Sequence, residues 1–217
     1  RGHVRWRGRR LGMRRVCIMG SGRPENYRLA NNLEEDIEIW AMNMCHRWLT
    51  AKADRWFQIH PRSWHSEMSG SPGNEDKSQE GPFGRPLDHI EFLQTCGIPV
   101  YMQDVDPEIP TSVKYPLADV MGRFGGGYFT STIPYMIALA LYEGVDEIGL
   151  LGVYLTSKQD YTAHRPCVEF WLGVAKGMGV AVVLPDDCHL AEAPLYAYSD
   201  GREPLETLTL KTVEVVG

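Results

Sequence analysis

Two glycine-rich turns in this chain have the residue types that hold anionic ligands. The first is Gly20–Gly22, with Ser21 between the glycines, where the apolar run 15–19 stops abruptly. Because glycine has no Cβ, its backbone N–H groups can approach an anion closely. The spacing is neither Gly-x-Gly-x-x-Gly nor that of a P-loop. A nucleotide-binding turn and a plain tight turn therefore both remain open.

The second turn, Gly125–Gly127, leads into a hydroxyl-rich helix start formed by Thr130, Ser131 and Thr132. A helix N-terminus offers free N–H groups and the positive end of the helix dipole, and hydroxyls can donate to phosphate oxygens. The competing interpretation is simple N-capping. The apolar stripe that follows predicts a helix over 130–143.

His164 stands just before another predicted helix, 165–178, and its imidazole could accept a proton from an attacking hydroxyl. Arg165 beside it could neutralise a phosphate. Trp64 and Tyr154 could stack on a base or a sugar. A solvated or core histidine and a surface arginine are the alternatives.

Asp104 and Asp106 follow a predicted strand and could hold a divalent metal such as Mg²⁺, although the prolines after them also suit a plain loop. His60 and His65 do not predict zinc, because no cysteine or third histidine has ligand spacing. We therefore expect no resident metal, and we keep Mg²⁺ as an alternative tied to Asp104 and Asp106.

These residues must be positioned by six apolar segments that read as buried strands, at 15–19, 38–42, 55–59, 99–102, 147–151 and 180–184. Strands that alternate with helices predict a single Rossmann-like three-layer α/β domain with a mostly parallel sheet of about six strands. The carboxyl ends of parallel strands share one edge. The polar side chains expected to converge there belong to Ser21, Arg23, Asn43, His60, Thr130, Ser131, Thr132 and the segment 154–164.

Composition limits the function classes. The 217 residues carry a net charge of −6, so no global basic field recruits nucleic acid. The five scattered cysteines suit buried free thiols and a reducing cytoplasm. No apolar run is long enough to predict a membrane span, and the sequence leaves a homo-oligomer open.

Three boundaries follow from these patterns. Residues 1–15 hold seven arginines and no acid. This segment could be a nucleic-acid-binding arm, but we interpret Met13 as a natural start and residues 1–12 as an upstream extension or a non-native remnant. The nucleotide-binding domain is predicted over 13–190, and 191–217 is a tail or a peripheral strand. Residues 62–86 lack apolar periodicity and suit a lid or an insertion.

Two connecting segments have patterns of their own. A short amphipathic helix is predicted over about 45–52, with Trp48 and Leu49 pointing inward. Residues 103–116 are predicted as a proline-rich loop.

The motif order resembles a known family. Its components are Gly-Ser-Gly-x-Pro after the first strand, an asparagine after the second, Tyr128–Ala140 with Thr-Ser-Thr inside it, Glu143–Tyr154, and a Tyr/His loop. Over roughly residues 14–190 the chain is similar to bacterial sialyltransferases that use CMP-sialic acid and to related Rossmann-like proteins, including archaeal hydroxymethylpterin pyrophosphokinases. The run from Tyr128 also resembles small proteins of tailed bacteriophages.

The resemblance implies a role for each matching residue. His164 would be the general base, and Tyr154 and Tyr161 would bind the phosphate and assist the leaving group. His60 and Arg165 would face the acceptor or the sugar. The residues implied to hold the nucleotide are Gly20, Ser21, Gly22, Arg23, Pro24, Asn43, Thr130, Ser131 and Thr132.

Some positions depart from the family pattern. Arg23 replaces a small residue, Thr132 a glycine and His60 an amide, and Tyr154 stands where an acid is usual. We expect a nucleotide-sugar-dependent glycosyltransferase that acts on a hydroxyl acceptor without a metal. If the chain is phage-encoded, a modified DNA base is one candidate acceptor. The alternatives are a metal-dependent phosphotransferase or pyrophosphokinase, and a non-catalytic nucleotide binder.

Overall fold

Seven parallel strands form one open sheet in the computed structural model, which describes residue 6 and residues 12–22, 25–49, 52–64, 89–155 and 160–192. The sheet order is β5-β4-β3-β2-β1-β6-β7, and every neighbouring pair is parallel. The order reverses between β1 and β6, which makes that gap the topological switch point. The strands are β1 (Arg15–Met19), β2 (Ile37–Met42), β3 (Arg55–Gln58), β4 (Val100–Met102), β5 (Ser112–Lys114), β6 (Glu147–Leu151) and β7 (Ala181–Val183).

Helices connect the strands and cover the sheet. They are α1 (Glu25–Ala30), a 3₁₀ helix (Asn43–Arg47), α2 (His89–Thr95), α3 (Leu117–Phe124), α4 (Thr132–Tyr142), a π-helical turn (Asp160–His164) and α5 (Arg165–Gly177). Helix α4 is apolar nearly all round, because it packs against β1 and β3 and also against α3 and α5. Glycine at position 144, with φ +74°, allows the chain to turn from α4 towards β6.

The core explains the continuous apolar strands. All five residues of β1 and all five of β6 are buried, as expected for central strands covered on both faces. Trp40, Trp56 and Trp171 are fully buried with them. Burying one such side chain stabilises the fold by roughly 1.5–3 kcal/mol, so this core dominates the stability of the domain.

The structure confirms the three-layer α/β class and corrects three details. Residues 112–114, predicted as part of a proline-rich loop, form the edge strand β5. The amphipathic helix predicted over 45–52 is a 3₁₀ helix over 43–47. Trp48, predicted to point inward with Leu49, is 40% exposed, because the 3₁₀ helix ends before it. Of these two side chains, only that of Leu49 reaches the core. The cysteines at 17, 45, 96, 167 and 188 are free, as expected, and all but Cys96 are buried.

Some predictions fall on residues outside the described part of the chain. These are Arg23, Pro24, most of the segment 62–86, most of the extension 1–12 and the tail from 193 onward. Trp6, one of the two described residues of the extension, packs over Gly149 in β6. A Cβ at position 149 would lie 2.5 Å from Cζ2 of Trp6. Among the described residues, no helix has the length and apolarity to cross a membrane.

The amino edge of the sheet carries a network of four charges. Arg14 Nε donates to Glu38 Oε1 at 2.6 Å, and Arg14 Nη2 donates to Glu143 Oε2 at 2.8 Å. Arg55 Nη1 donates to Glu143 Oε1 at 2.6 Å and lies over the Trp40 ring. Because Glu143 directly follows α4, the network holds the C-terminal end of α4 at the amino edge. The N-terminal end of α4 therefore lies at the carboxyl edge.

We expect Glu38→Gln to lower the free energy of unfolding at pH 7 by about 2 kcal/mol. Burial alone would raise the pKa of Glu38, but hydrogen bonds from Arg14 and Trp40 outweigh it and lower the pKa below the ordinary value. A carboxylate with a depressed pKa stabilises the folded protein above its unfolded pKa, and this contribution is lost as the pH falls. Urea unfolding should therefore show the difference at pH 7 and lose it progressively as the pH falls from the ordinary pKa of 4.5 through the lower pKa of folded Glu38.

The matched control for this network is Glu35→Gln, which neutralises an exposed carboxylate near β2. It should change the free energy of unfolding by less than about 0.5 kcal/mol. Equal losses in the two variants would contradict a specific contribution from Glu38.

Candidate functional site

The loops after β1 and β6 contact each other directly at the switch point. The Gly20 N–H donates to the Leu151 carbonyl at 2.7 Å, and the Gly22 N–H donates to the Gly152 carbonyl at 2.9 Å. The backbone N–H groups of Gly20 and Gly22, which the sequence indicates as candidate anion ligands, therefore donate to backbone carbonyls instead. An exposed Ser21 lies between them.

This contact explains why the positions need glycine. A Cβ on residue 20 would lie 2.5 Å from the Gly152 carbonyl oxygen, and one on residue 22 would lie 2.8 Å from it. Gly152 itself has φ +71°, and its own Cβ would meet the Gly20 oxygen at 2.6 Å. Three glycines thus let two loops touch backbone to backbone, which is a structural reason for them that is independent of any ligand.

The Tyr154 side chain joins the two sides of the switch point through hydrogen bonds with Asn26 and Asp187, an arrangement that we call the clasp. Its ring lies against Gly22, where a Cβ would be 3.2 Å from Cδ2 of the tyrosine. Its hydroxyl accepts a hydrogen bond from Asn26 Nδ2 at 2.9 Å and donates to Asp187 Oδ1 at 3.3 Å. Asn26 is 3% exposed. The clasp therefore joins α1 to the loop after β7 through a tyrosine after β6, and sequence reasoning missed both Asn26 and Asp187.

Tyr154→Phe should lower the free energy of unfolding by about 1–2 kcal/mol, because the buried Asn26 amide loses a hydrogen-bond partner. Tyr128→Phe is the control, since the Tyr128 side chain is 41% exposed and should change stability by less than about 0.5 kcal/mol. Chemical denaturation of both variants measures the difference. Identical stabilities would mean that the clasp contributes nothing to the fold.

Asn43 begins the 3₁₀ helix at the carboxyl end of β2 and has a left-handed backbone, with φ 47°. Asparagine tolerates this conformation better than most residues. Its Oδ1 atom is buried, and no residue in the described part of the chain donates a hydrogen bond to it. A buried, unsatisfied amide oxygen costs free energy, so this atom is a candidate ligand contact.

The start of α4 has a second such atom. Ser131 is the N-cap residue, yet its side chain makes no capping hydrogen bond. Its Oγ atom is buried and has no hydrogen-bond partner among the residues described. Thr130 Oγ1 instead donates to the Ala163 carbonyl at 2.9 Å, and Thr132 is buried. Ser131 is therefore the residue of the three whose buried hydroxyl oxygen has no partner in the described chain, which makes it a candidate ligand contact.

Helix α5 brings His164 to the same edge. His164 is the half-buried last residue of the π-helical turn, which the Thr130 hydrogen bond to Ala163 links to the start of α4. Arg165 Nε donates to Glu169 Oε1 at 2.8 Å, and its Nη2 donates to the His189 carbonyl. Arg165 is therefore engaged within the protein. The backbone of Tyr161 lies in the π-helical turn, but its side chain is outside what the structure describes.

The remaining candidates lie beside β3 and β4. The His60 ring stacks on Trp64 with centroids 5.5 Å apart. Asp104 Oδ1 accepts from Lys114 Nζ at 2.5 Å, and Asp106 Oδ1 accepts from Arg62 Nη1 at 2.8 Å. Among the described residues, no group of three or more histidine, cysteine or acidic side chains could hold a metal ion.

The topology thus places Asn43, Ser131 and His164 on one edge, around a clasp at the switch point. Two of these three residues have a buried polar atom without a partner in the described chain. Such an arrangement can accept hydrogen bonds from N–H or O–H groups of a polar ligand. It also has an imidazole, that of His164, close to the start of α4. The Gly125–Gly127 loop is exposed, and its next residue, Tyr128, is tied to α5 by the Trp171 Nε1 hydrogen bond of 2.7 Å to its carbonyl.

No protein-family model matches this sequence, and the curated proteins give no match either. Among solved structures, the chain is similar to the sialyltransferase CstII from Campylobacter jejuni in complex with the substrate analogue cytidine-5'-monophosphate, with 15% identity, 79% of each chain covered and a TM-score of 0.47. The monofunctional alpha-2,3-sialyltransferase Cst-I from the same organism gives 14% identity, covers 82% of this chain and 78% of its own, and has a TM-score of 0.45.

A CstII complex with CMP and a trisaccharide acceptor matches with 13% identity, a TM-score of 0.47 and coverage of 78% of this chain and 80% of that one. Identities this low and TM-scores below 0.5 carry no information about what this chain binds.

Proposed function

We propose that this protein binds a nucleotide sugar at the carboxyl edge of its sheet and transfers the sugar to a hydroxyl acceptor. The observation that carries the proposal is a pair of buried oxygens, on Asn43 and Ser131, that have no hydrogen-bond partner in the described part of the chain. They lie at the edge where α/β sheets bind ligands. A base amino group or ribose hydroxyls would satisfy them. The motif resemblance described above supports a nucleotide sugar as that ligand.

In this proposal His164 takes the proton from the acceptor hydroxyl, whose oxygen then attacks the anomeric carbon as the bond to the nucleotide phosphate breaks. The π-helical turn holds His164 beside the start of α4, so the base and the nucleotide contacts share one edge. General-base assistance of this kind contributes roughly 10²–10⁴ in rate. Tyr161 remains a proposed phosphate contact. Hydroxyls of sugars and of hydroxymethylated DNA bases are the acceptor classes to assay.

The role of Tyr154 is less direct than the resemblance implied. Its hydroxyl already accepts from Asn26 and donates to Asp187, so it has no proton to spare for a leaving phosphate. The engaged hydroxyl, together with the engaged amides of Gly20 and Gly22, favours a second candidate function. That candidate is a protein that binds a nucleotide without turning it over.

A thermal-shift screen against nucleotides and nucleotide sugars, with and without Mg²⁺, tests the proposal. Ligand at 100 times its Kd stabilises the native state by about 2.7 kcal/mol, which gives a clear rise in Tm. Asp104 and Asp106 each pair with a basic side chain, so we expect a shift that does not need metal. A shift that requires Mg²⁺ and a triphosphate would instead support phosphotransfer.

Asn43→Gly is the variant for this screen, because glycine keeps the left-handed backbone and removes the amide oxygen. It should reduce the nucleotide-dependent rise in Tm while leaving the ligand-free Tm unchanged or higher. Asn32→Ala, at an exposed position, is the control and should behave like the wild type. No shift with any nucleotide would reject both candidate functions.

A further inference from the structure

A cavity of about 420 Å³ opens beside β3 and β4, away from the switch point. Three segments form its walls: the turn 62–64 after β3, helix α2 and the β4–β5 loop. Its size falls within the range of roughly 300–1,000 Å³ that is usual for small-molecule sites. The lining side chains are Arg62, Ser63, Ile90, Gln94, Asp106, Glu108 and Ile109.

Asp106, in the cavity wall, is held in position by hydrogen bonds to its backbone and to one of its carboxylate oxygens. It is only 8% exposed, and its backbone is pinned because Ser112 Oγ accepts from the Asp106 N–H at 3.0 Å and donates to the Asp106 carbonyl at 2.9 Å. Its Oδ1 accepts from Arg62 Nη1 at 2.8 Å and from the Glu108 N–H at 3.0 Å. Its Oδ2 receives no hydrogen bond from any residue that the structure describes. One carboxylate oxygen is therefore held in the wall with its acceptor capacity unused.

Among the described residues that line the cavity, acidic side chains outnumber basic ones. Arg62 pairs with both Asp106 and Glu108, so two carboxylates share one guanidinium. Lys114 does not correct this, because it pairs with Asp104 outside the cavity. Ile90 and Ile109 supply an apolar part of the wall. A ligand that matches these features has N–H donors, a positive charge and an aliphatic body.

We infer that this cavity binds a small molecule with a primary ammonium group, which donates to Asp106 Oδ2 while its carbon skeleton lies against Ile90 and Ile109. An anion is disfavoured by the excess carboxylate. A divalent metal is disfavoured because no three acidic or imidazole ligands come together in the described chain. A charge-assisted hydrogen bond in a half-enclosed cavity is the strong kind.

The test compares two probes with the same ring, cyclohexylamine and cyclohexanol, by ligand-observed NMR titration of the full chain at low salt. Wild type should bind the amine about tenfold more tightly than the alcohol. Asp106→Asn should abolish this preference. Asp104→Asn removes the same charge two residues away, from a side chain that is 76% exposed and outside the cavity, and should keep it.

Gln94→Trp is the second variant, placed on the exposed face of α2, where the fold should tolerate it. Its indole should fill the cavity and weaken both probes together. No preference in wild type, an equal preference in Asp106→Asn, or undiminished binding in Gln94→Trp would each overturn the inference. The result does not depend on nucleotide binding, which the thermal-shift screen measures separately, so either proposal can fail while the other stands.

Discussion

Gly152→Ala should lower the free energy of unfolding by about 3 kcal/mol or more. Two effects add in this variant. The left-handed backbone at φ +71° penalises a side chain, and the new Cβ would meet the Gly20 and Gly22 carbonyl oxygens at 2.6 and 2.8 Å. These oxygens belong to backbone and cannot rotate away. The loops after β1 and β6 would have to separate, which breaks the two hydrogen bonds that join them.

Gly173→Ala is the matched control, because Gly173 lies inside α5 and a Cβ there meets nothing within 4 Å. The same chemical change should then stabilise the protein by about 0.5–1 kcal/mol. Urea denaturation of the two variants gives opposite signs if the loop contact is as tight as described. A loss of less than about 1 kcal/mol in Gly152→Ala would show that the two loops can move apart at little cost.

His164→Ala should lower the rate of sugar transfer by roughly 10²–10⁴ while the nucleotide-dependent rise in Tm persists. The imidazole would act on the acceptor hydroxyl, whereas Asn43 and Ser131 would hold the nucleotide. Binding and turnover should therefore separate. The measurement is the turnover of whichever donor the thermal-shift screen identifies, with a panel of hydroxyl acceptors, at saturating donor.

His189→Gln is the control for a general effect of removing imidazole, because the His189 ring is exposed and pairs with Glu192. Its turnover should match wild type. A His164→Ala variant that retains full turnover would remove His164 from the mechanism. Binding without turnover in the wild type, across all donors and acceptors, would favour the non-catalytic nucleotide binder.

The fold was predictable wherever burial was complete. Strands β1 and β6 have the predicted bounds, because central parallel strands are apolar on both faces. Strand β5 was missed, because Ser112–Lys114 is a short edge strand with mostly exposed side chains and no apolar pattern. The helix predicted over 45–52 was wrong, since the left-handed backbone of Asn43 starts a tighter 3₁₀ helix that no periodicity signals.

The sequence predicts that the candidate site lies at the carboxyl edge of the sheet, but it does not predict the contacts between the loops there. The sequence places Asn43, Ser131 and His164 after strands or before helices, which is enough to bring them to the same edge. It cannot reveal that Gly20 and Gly22 in the loop after β1 face Gly152, because that contact spans more than a hundred residues. Asp187 was missed for the same reason, since nothing near it in sequence marks it as the partner of Tyr154.

Trp6 and Gly149 form a pair of complementary size across a long separation in the chain. The indole occupies the space that a side chain at position 149 would otherwise fill, so neither residue can change freely without the other. Selection should therefore act on the two positions jointly. Among relatives of this protein, we expect those without a large aromatic residue matching Trp6 to carry alanine or valine in place of Gly149, and the two positions to covary in an alignment.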